Sequence, residues 1–432
     1  MPILSLAICL AFLLILMMRF KVNAFIALLL SAFLVGVLNR MPLSNILKSL
    51  TSGIGQTMGD LILILTFGAM LGKILEVSGA AHRITHVIVQ ILGEKRVAYA
   101  VLLAGFIIGM PMMYNASFLV LIPIIYSFSV VSKIPLLKIG IPLAASLSIA
   151  HGYLPPHPAP VVVSQMYEAD VNTVFLYGLI FSIPAIALVG ICFPKFFKKV
   201  DVSLPAHLFV NREYSTATAP SFSLSLFCTT LPFVLMVGAA LLKPTGNAVI
   251  AFVGDPNVAL FIAVLVAIYC LGIVQKRSLE ALMKDLGLAV ASIAMIILII
   301  AAGGGFKQVL TDSGSSAYVQ TVANNLSLHP ILMAWSLAAF IRLMIGSATV
   351  ASITAAGVMS PLVQRSGVSV EIMVLATGSG SLMFSHFNDV GFWMFKEYFN
   401  VSIKQTFQIW TVMECLIAII GLVGCLILNA LL

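Results

Sequence analysis

VAYAVLLAGFIIGMPMMYNASFLVLIPIIYSFSVV (97–131) runs for 35 residues without a charged side chain. A helix crosses a bilayer in about 20 residues. The run is too long for one crossing and too short for two joined by an ordinary loop. Its polar spot, Pro111 to Ser117, falls near the middle. The stretch predicts a helix followed by a broken or re-entrant segment whose turn lies inside the membrane. Irregular backbone at that depth is tolerated only within protein or beside a water-filled cavity.

A second stretch repeats the arrangement. HPILMAWSLAAFIRLMIGSATVASITAAGVMSPLV (329–363) is equally long, and GSATVAS (346–352) supplies its small polar turn. Ser347 and Thr349 are placed to cap a half-helix, where free N–H groups and the helix dipole attract an anion. Small-residue helix packing is the other reading of that turn. Two further breaks form another pair. HGYLPPHPAP (151–160) carries Pro155, Pro156, Pro158 and Pro160, which forbid continuous helix. SHFNDVGFW (385–393) breaks its segment with Asn388, Asp389 and Gly391.

The composition sets the class. Hydrophobic residues make up 61% of the 432 positions and charged residues only 9%, against roughly 45–50% and 25% in soluble domains. The chain reads as an all-α polytopic membrane protein. Its opening run, PILSLAICLAFLLILMM (2–18), reads as a spanning helix, since Arg19 and Lys21 follow it and no basic segment precedes it. The six cysteines sit in apolar runs without CxxC spacing, so neither disulfides nor a metal is expected. The net charge of +8 lies in loops between apolar segments, which is a topology signal and not a nucleic-acid footprint.

Apolar segments fall at about 2–18, 23–39, 57–78, 97–131, 139–150 and 171–194. After a polar stretch they recur at about 222–242, 248–275, 286–306, 328–363, 370–385 and 406–430. GAMLGKILEVSG (68–79) aligns with GGGFKQVLTDSG (303–314), with Gly68, Leu75, Ser78 and Gly79 on Gly303, Leu310, Ser313 and Gly314. Such duplication is typical of secondary transporters. The expected organisation is a first membrane repeat over 1–200, a cytoplasmic linker over 201–220 and a second repeat over 221–432. If each half crosses an odd number of times, Arg19, Lys21, Lys195, Lys198, Lys199, Arg212, Lys276, Arg277 and Lys284 share one face, while Arg40, Lys48 and Lys243 share the other. The positive-inside rule then favours inverted repeats.

The charged and titratable residues each have two readings. Arg342 sits deep in an apolar segment, where a guanidinium is costly and either binds a carboxylate or forms a structural pair, for which Asp389 is the natural partner. Asp389 is the leading candidate for proton coupling, against a fixed hydrogen-bonding role at its turn. His151, His157 and His386 are candidates for proton relay or substrate contact, against ordinary structural donors. Asn388 suits sugar hydroxyls because an amide both donates and accepts. Lys73 and Glu76 read as an i,i+3 pair, Asp312 as a cap of the Ser313–Gly314 turn, and Glu414 as a packing hydrogen bond in the last helix.

These stretches resemble the gluconate permease family, the gluconate:proton symporters of the ion transporter superfamily. The resemblance rests on HGYLPPHPAP (151–160), RLMIGSATVASITAAG (342–357), HFNDVGFWMFKEYFNVSIKQTFQIWTVMEC (386–415) and the weaker LTDSG (310–314), and it covers essentially the whole chain. It implies two inverted repeats with re-entrant hairpins, a homodimer with an elevator-like moving domain, and uptake of gluconate, related sugar acids or D-serine. Two positions depart from the family pattern. Asn115, in PMMYNAS, stands where the family usually carries an acid, and Ala159 and Val161 stand where it usually carries glycine and threonine.

The reading that follows is a secondary active transporter of the inner membrane, importing gluconate or a related small sugar acid with protons. Asn115, Ser117, His151, His157, Arg342, Ser347, Thr349, His386 and Asn388 are the candidate substrate contacts, with Asp389 and His386 as coupling groups. No cofactor is expected beyond the coupling ion. Sodium-coupled transport of another small organic anion or of D-serine is the alternative. An intramembrane enzyme would need a nucleophile beside a base or clustered metal ligands, and no GxSxG or HExxH appears.

Overall fold

A computed structural model describes residues 2–93, 96–131, 134–197, 219–242, 247–314, 328–386 and 389–432. Every regular element among them is helical. Six helical stretches are long and apolar enough to cross a membrane, or seven if the two arms of one bent helix are joined as a span.

The first half contains α1 (Pro2–Met18), α2 (Ala24–Leu38), α3 (Leu43–Val77), α4 (Ala80–Leu92), α5 (Val97–Gly109), α6 (Tyr114–Val131), α7 (Leu136–Tyr153), α8 (Pro158–Tyr167) and α9 (Val171–Ala185). The second contains α10 (Phe222–Leu242), α11 (Ala248–Gly254), α12 (Pro256–Ala267), α13 (Leu279–Asp312), α14 (Pro330–Ile345), α15 (Ala348–Val363), α16 (Val370–Gly380), α17 (Val390–Tyr398), α18 (Ile403–Thr406) and α19 (Val412–Leu431).

The 97–131 run divides as its composition requires. Helix α5 ends at Gly109, the chain turns through Met110–Met113, and α6 starts at Tyr114. The matching run divides into α14 and α15 around Gly346 and Ser347. Gly346 adopts φ +83°, a left-handed conformation that caps α14 and that a Cβ would oppose. Ser347 then caps α15 by accepting a hydrogen bond from Val350 N. Between α7 and α8 the chain breaks for Leu154–His157, where the Pro155–Pro156 bond is cis.

Two apolar runs divide more finely than their composition shows, and the expected cap at Asp312 needs correction. The 248–275 run is not one continuous helix: Asp255 ends α11 and caps α12 through Asn257 N. The 57–78 segment is the second arm of a helix that starts at Leu43 and bends by 44° between Gly59 and Leu61. Asp312 does not cap its turn, because Ser49 and Gln308 donate to its two carboxylate oxygens and so tie α13 to α3. The amphipathic α4 was not foreseen. Its apolar face is buried and its Arg83 donates to the carbonyl of Pro220. Most of the expected linker, residues 201–218, lies outside the described residues, as do Lys198, Lys199, Arg212 and Lys243.

Helices α3 and α13, which the internal duplication equates, form the most extensive helix–helix contact. They approach through glycine: a Cβ on Gly304 would collide with Thr57, and one on Gly53 with the Gly304 carbonyl. Small residues let helix backbones meet closely where lipid offers no hydrophobic drive. Helices α7, α8 and α16 are strongly enclosed, with nearly every residue buried. They hold the broken segments in place and so fix the geometry of the site.

Candidate functional site

The four broken segments meet around a cavity of about 310 Å³, within the usual range for small-molecule sites of roughly 300–1,000 Å³. Three half-helices begin on it: α6 with Tyr114 and Asn115, α15 with Ala348 and Thr349, and α17 with Val390 and Gly391. Helix α7 contributes Ser148 and His151, and the last helical segment contributes Trp410 and Glu414. Spacings of three and four residues place each of those pairs on one helix face.

Among the described residues, Arg342 is the one lysine or arginine lining the cavity, and it is 2% exposed. One guanidinium nitrogen donates to the carbonyl of Gly346, and another donates to Asp389 Oδ2 at 2.5 Å. Asp389 is held from all sides. Ser385 also donates to Oδ2, and Gly391 N donates to Oδ1 at 3.0 Å, so the carboxylate caps α17. Ser385 in turn accepts from Trp410 Nε1 at 2.7 Å, and its carbonyl accepts from Thr411 Oγ1 at 2.6 Å. One network therefore joins the α14–α15 turn, the start of α17 and the last helix.

His151 and His157 form a pair. Their Nδ1 atoms lie 3.3 Å apart, and His157 Nε2 lies 2.8 Å from the carbonyl of Gly109. A carbonyl only accepts, so His157 donates from Nε2. In its neutral form its Nδ1 is then the acceptor, and His151 must donate from Nδ1. That leaves His151 Nε2 as an acceptor on the residue that lines the cavity. Tyr114 packs edge-on against both His151 and Trp410, which makes one wall aromatic.

Among the described residues, nine buried side-chain nitrogen or oxygen atoms have no hydrogen-bond partner. Three of them, Tyr114 Oη, Arg342 Nε and Glu414 Oε1, belong to residues that line this one cavity. Buried polar groups are normally satisfied, so such a concentration marks a place where a polar ligand completes the bonding.

Of the residues singled out from sequence, Asn115, His151, Arg342, Ser347, Thr349 and Asp389 line the cavity together. His157 stands behind His151. Ser117 is fully buried and donates to the carbonyl of Met112, so it secures the turn before α6 instead of lining the cavity. His386 Nε2 is turned to the carbonyl of Leu343, away from the lining. Asn388 lies outside the described residues. Sequence reasoning missed Ser148 and Tyr114 as wall residues, and left Trp410 open between a packing or interface anchor and a sugar platform. It also read Glu414 as a packing hydrogen bond, yet Glu414 is 2% exposed, lines the cavity and has an unpartnered oxygen. Glu414 is the one acid in the last apolar run. That was the available signal, since an ionisable residue within the membrane is functional by default.

Comparison with known proteins identifies the family. The GntP family permease profile matches residues 1–431. The high-affinity gluconate transporter of Escherichia coli K12 is 43% identical over 99% of both chains. The Gnt-II system L-idonate transporter of the same organism is 44% identical over the whole of both chains. The gluconate permease of Bacillus subtilis 168 is 40% identical over 99% of both. In fold the chain is similar to the YdaH transporter of Alcanivorax borkumensis, with TM-score 0.64 at 17% identity over 88% of this chain and 87% of that one. It is similar also to MtrF of Neisseria gonorrhoeae, with TM-score 0.63 at 14% identity over 90% and 85%. The chain is a multi-pass inner-membrane permease, not an enzyme, and belongs to the GntP family.

Proposed function

We propose that this permease imports gluconate or a closely related sugar acid by proton symport. The observation that carries the reading is the convergence of Arg342 and the α15 N-terminus on one cavity whose other walls present hydroxyl-binding groups and aromatic rings. The substrate carboxylate meets the backbone N–H groups beginning at Ser347 and Thr349, with Arg342 Nε as the leftover donor. Asn115 and His151 Nε2 receive the hydroxyls. Tyr114 and Trp410 cover an apolar face of the carbon chain. Relatives named for gluconate and L-idonate, both polyhydroxylated monocarboxylates, support this class of cargo.

The test is uptake of labelled gluconate in proteoliposomes with an inward proton gradient and no sodium, competed with unlabelled sugar acids and D-serine. Accumulation that requires the proton gradient is the expected result. Accumulation only when sodium is added, or only of another cargo, would replace the reading. Dimeric assembly belongs to the same proposal and is read from the mass of the detergent-solubilised particle.

A further inference from the structure

We infer that Glu414 is the proton carrier of this permease. The inference rests on the symport reading above and assigns to a named carboxyl the coupling that Asp389 was expected to supply.

The two acids of the cavity are in opposite situations. Asp389 accepts from Arg342, Ser385 and Gly391 N, so its charge is matched and both oxygens are occupied. Protonating it would release a buried guanidinium and uncap α17. Glu414 is as buried as Arg342, takes part in no ion pair among the described residues, and leaves Oε1 without a partner among them. The side chain it hydrogen-bonds is Ser148, whose hydroxyl is neutral and brings no counter-charge. Arg342 belongs to the same cavity but is committed to Asp389 and to the Gly346 carbonyl.

The groups facing Glu414 from neighbouring elements can be enumerated. Helix α7 presents His151 and Tyr153, and the Tyr153 hydroxyl is spent on the carbonyl of Ile417. Helix α6 presents Tyr114, α14 presents Arg342, and the turn before α17 presents Asp389. The cation and anion among these cancel, and the histidine donates from Nδ1 to His157 in its neutral form. A carboxylate at position 414 therefore has no counter-charge of its own. An isolated buried carboxylate is costly and sheds the cost by taking a proton.

The substrate makes that choice obligatory. A sugar acid brings a negative charge into the same cavity. With Glu414 ionised the site would hold two unmatched anionic charges, and with Glu414 protonated it holds one. Anion and proton thus bind together. The step is a plain proton transfer: the carboxylate takes a proton from hydronium in the cavity water, leaving water, and returns it to water on the other side once the substrate has left.

The experiment uses the full chain in proteoliposomes as wild type, Glu414→Gln and Glu414→Asp. Three readouts are taken: gluconate counterflow, which needs no net proton movement; accumulation driven by a proton gradient; and the infrared difference spectrum between acid and alkaline samples. The expected result is that Glu414→Gln still catalyses counterflow, at a changed KM because position 414 lines the cavity, but loses accumulation and reaches only equal concentrations on the two sides. Glu414→Asp keeps both. A protonated-carboxyl stretch seen in the wild type is absent from Glu414→Gln.

Gradient-driven accumulation by Glu414→Gln at the wild-type level overturns the inference. So does its loss of both transport modes while it elutes as a folded protein, which would make Glu414 a binding group. If Glu414→Gln does not fold, Glu414→Asp decides: a displaced pH profile of uptake supports the inference, and an unchanged profile overturns it. A wild-type chain without gluconate counterflow defeats the cargo reading alone, and the infrared band still judges Glu414.

Discussion

Arg342 and Asp389 lie 47 residues apart in sequence and meet at 2.5 Å across the cavity, joining the end of α14 to the start of α17. Two breaks in the chain are thereby fastened to each other by one ion pair with side chains only 3% and 17% exposed. Breaking such a buried pair from one side leaves an uncompensated charge and costs about 3–5 kcal/mol. Asp389→Asn should therefore lower the melting temperature and impair counterflow and gradient-driven uptake together. The two losses are checked on the same preparation. A variant that kept counterflow and lost only accumulation would return the coupling role to Asp389.

Arg342→Lys tests the guanidinium in another way. An ammonium preserves the charge but carries all its donors on one nitrogen, so it cannot reproduce the fork whose separate nitrogens meet Asp389, the Gly346 carbonyl and the substrate. Loss of one hydrogen bond to a charged group is worth about 1.5–3 kcal/mol. The KM for gluconate should rise by roughly 10- to 100-fold. An unchanged KM would mean that Arg342 acts only within the scaffold.

Much of this site is legible in the sequence. An uncharged run of 35 residues cannot form one crossing, and the turns at Met110–Met113 and Gly346–Ser347 fall where proline and small polar residues stand. The Arg342–Asp389 pair was equally visible, because a guanidinium inside the membrane demands a partner. What stayed hidden depends on distance in space. Ser117 belongs to the polar spot of its run, but the turn consumes its hydroxyl. His386 lies three residues before Asp389, yet faces Leu343. Glu414 sits in the last apolar run, far in sequence from every break. Only packing brings it to Ser148, so its unpartnered oxygen could not be read from spacing.

Gly346→Ala addresses the turn that aims α15. Its φ of +83° costs an alanine about 1–2 kcal/mol, and the Gly346 carbonyl is also an acceptor for Arg342. The backbone can relieve the strain only by moving the α15 N-terminus. Uptake should fall much more than thermal stability does. Equal KM values for wild type and variant would show that the N-terminus of α15 does not touch the substrate.

His157→Gln probes the histidine pair. His157 sets the orientation of His151 from behind the cavity wall. Removing one neutral hydrogen bond of about 0.5–1.5 kcal/mol should raise the KM by roughly 2- to 10-fold and leave the maximal rate near that of the wild type. A fall in maximal rate with unchanged KM would place the pair in the transport step and not in binding.

The charge balance of the cavity fixes how transport is driven. Asp389 is committed to Arg342, Ser385 and Gly391 N, so one carboxyl, Glu414, is left to exchange a proton for each sugar acid. One proton and one monovalent anion cross together with no net charge. A potassium diffusion potential set with valinomycin, in the absence of a pH gradient, should then produce no accumulation. A gradient of one pH unit stores about 1.4 kcal/mol per proton, which supports at most about tenfold accumulation. Both limits are measured in the same vesicles by separating the pH gradient from the potential with ionophores. Accumulation beyond tenfold per pH unit, or any accumulation driven by potential alone, would require a second cation per anion, and Glu414 could not be the sole coupling group.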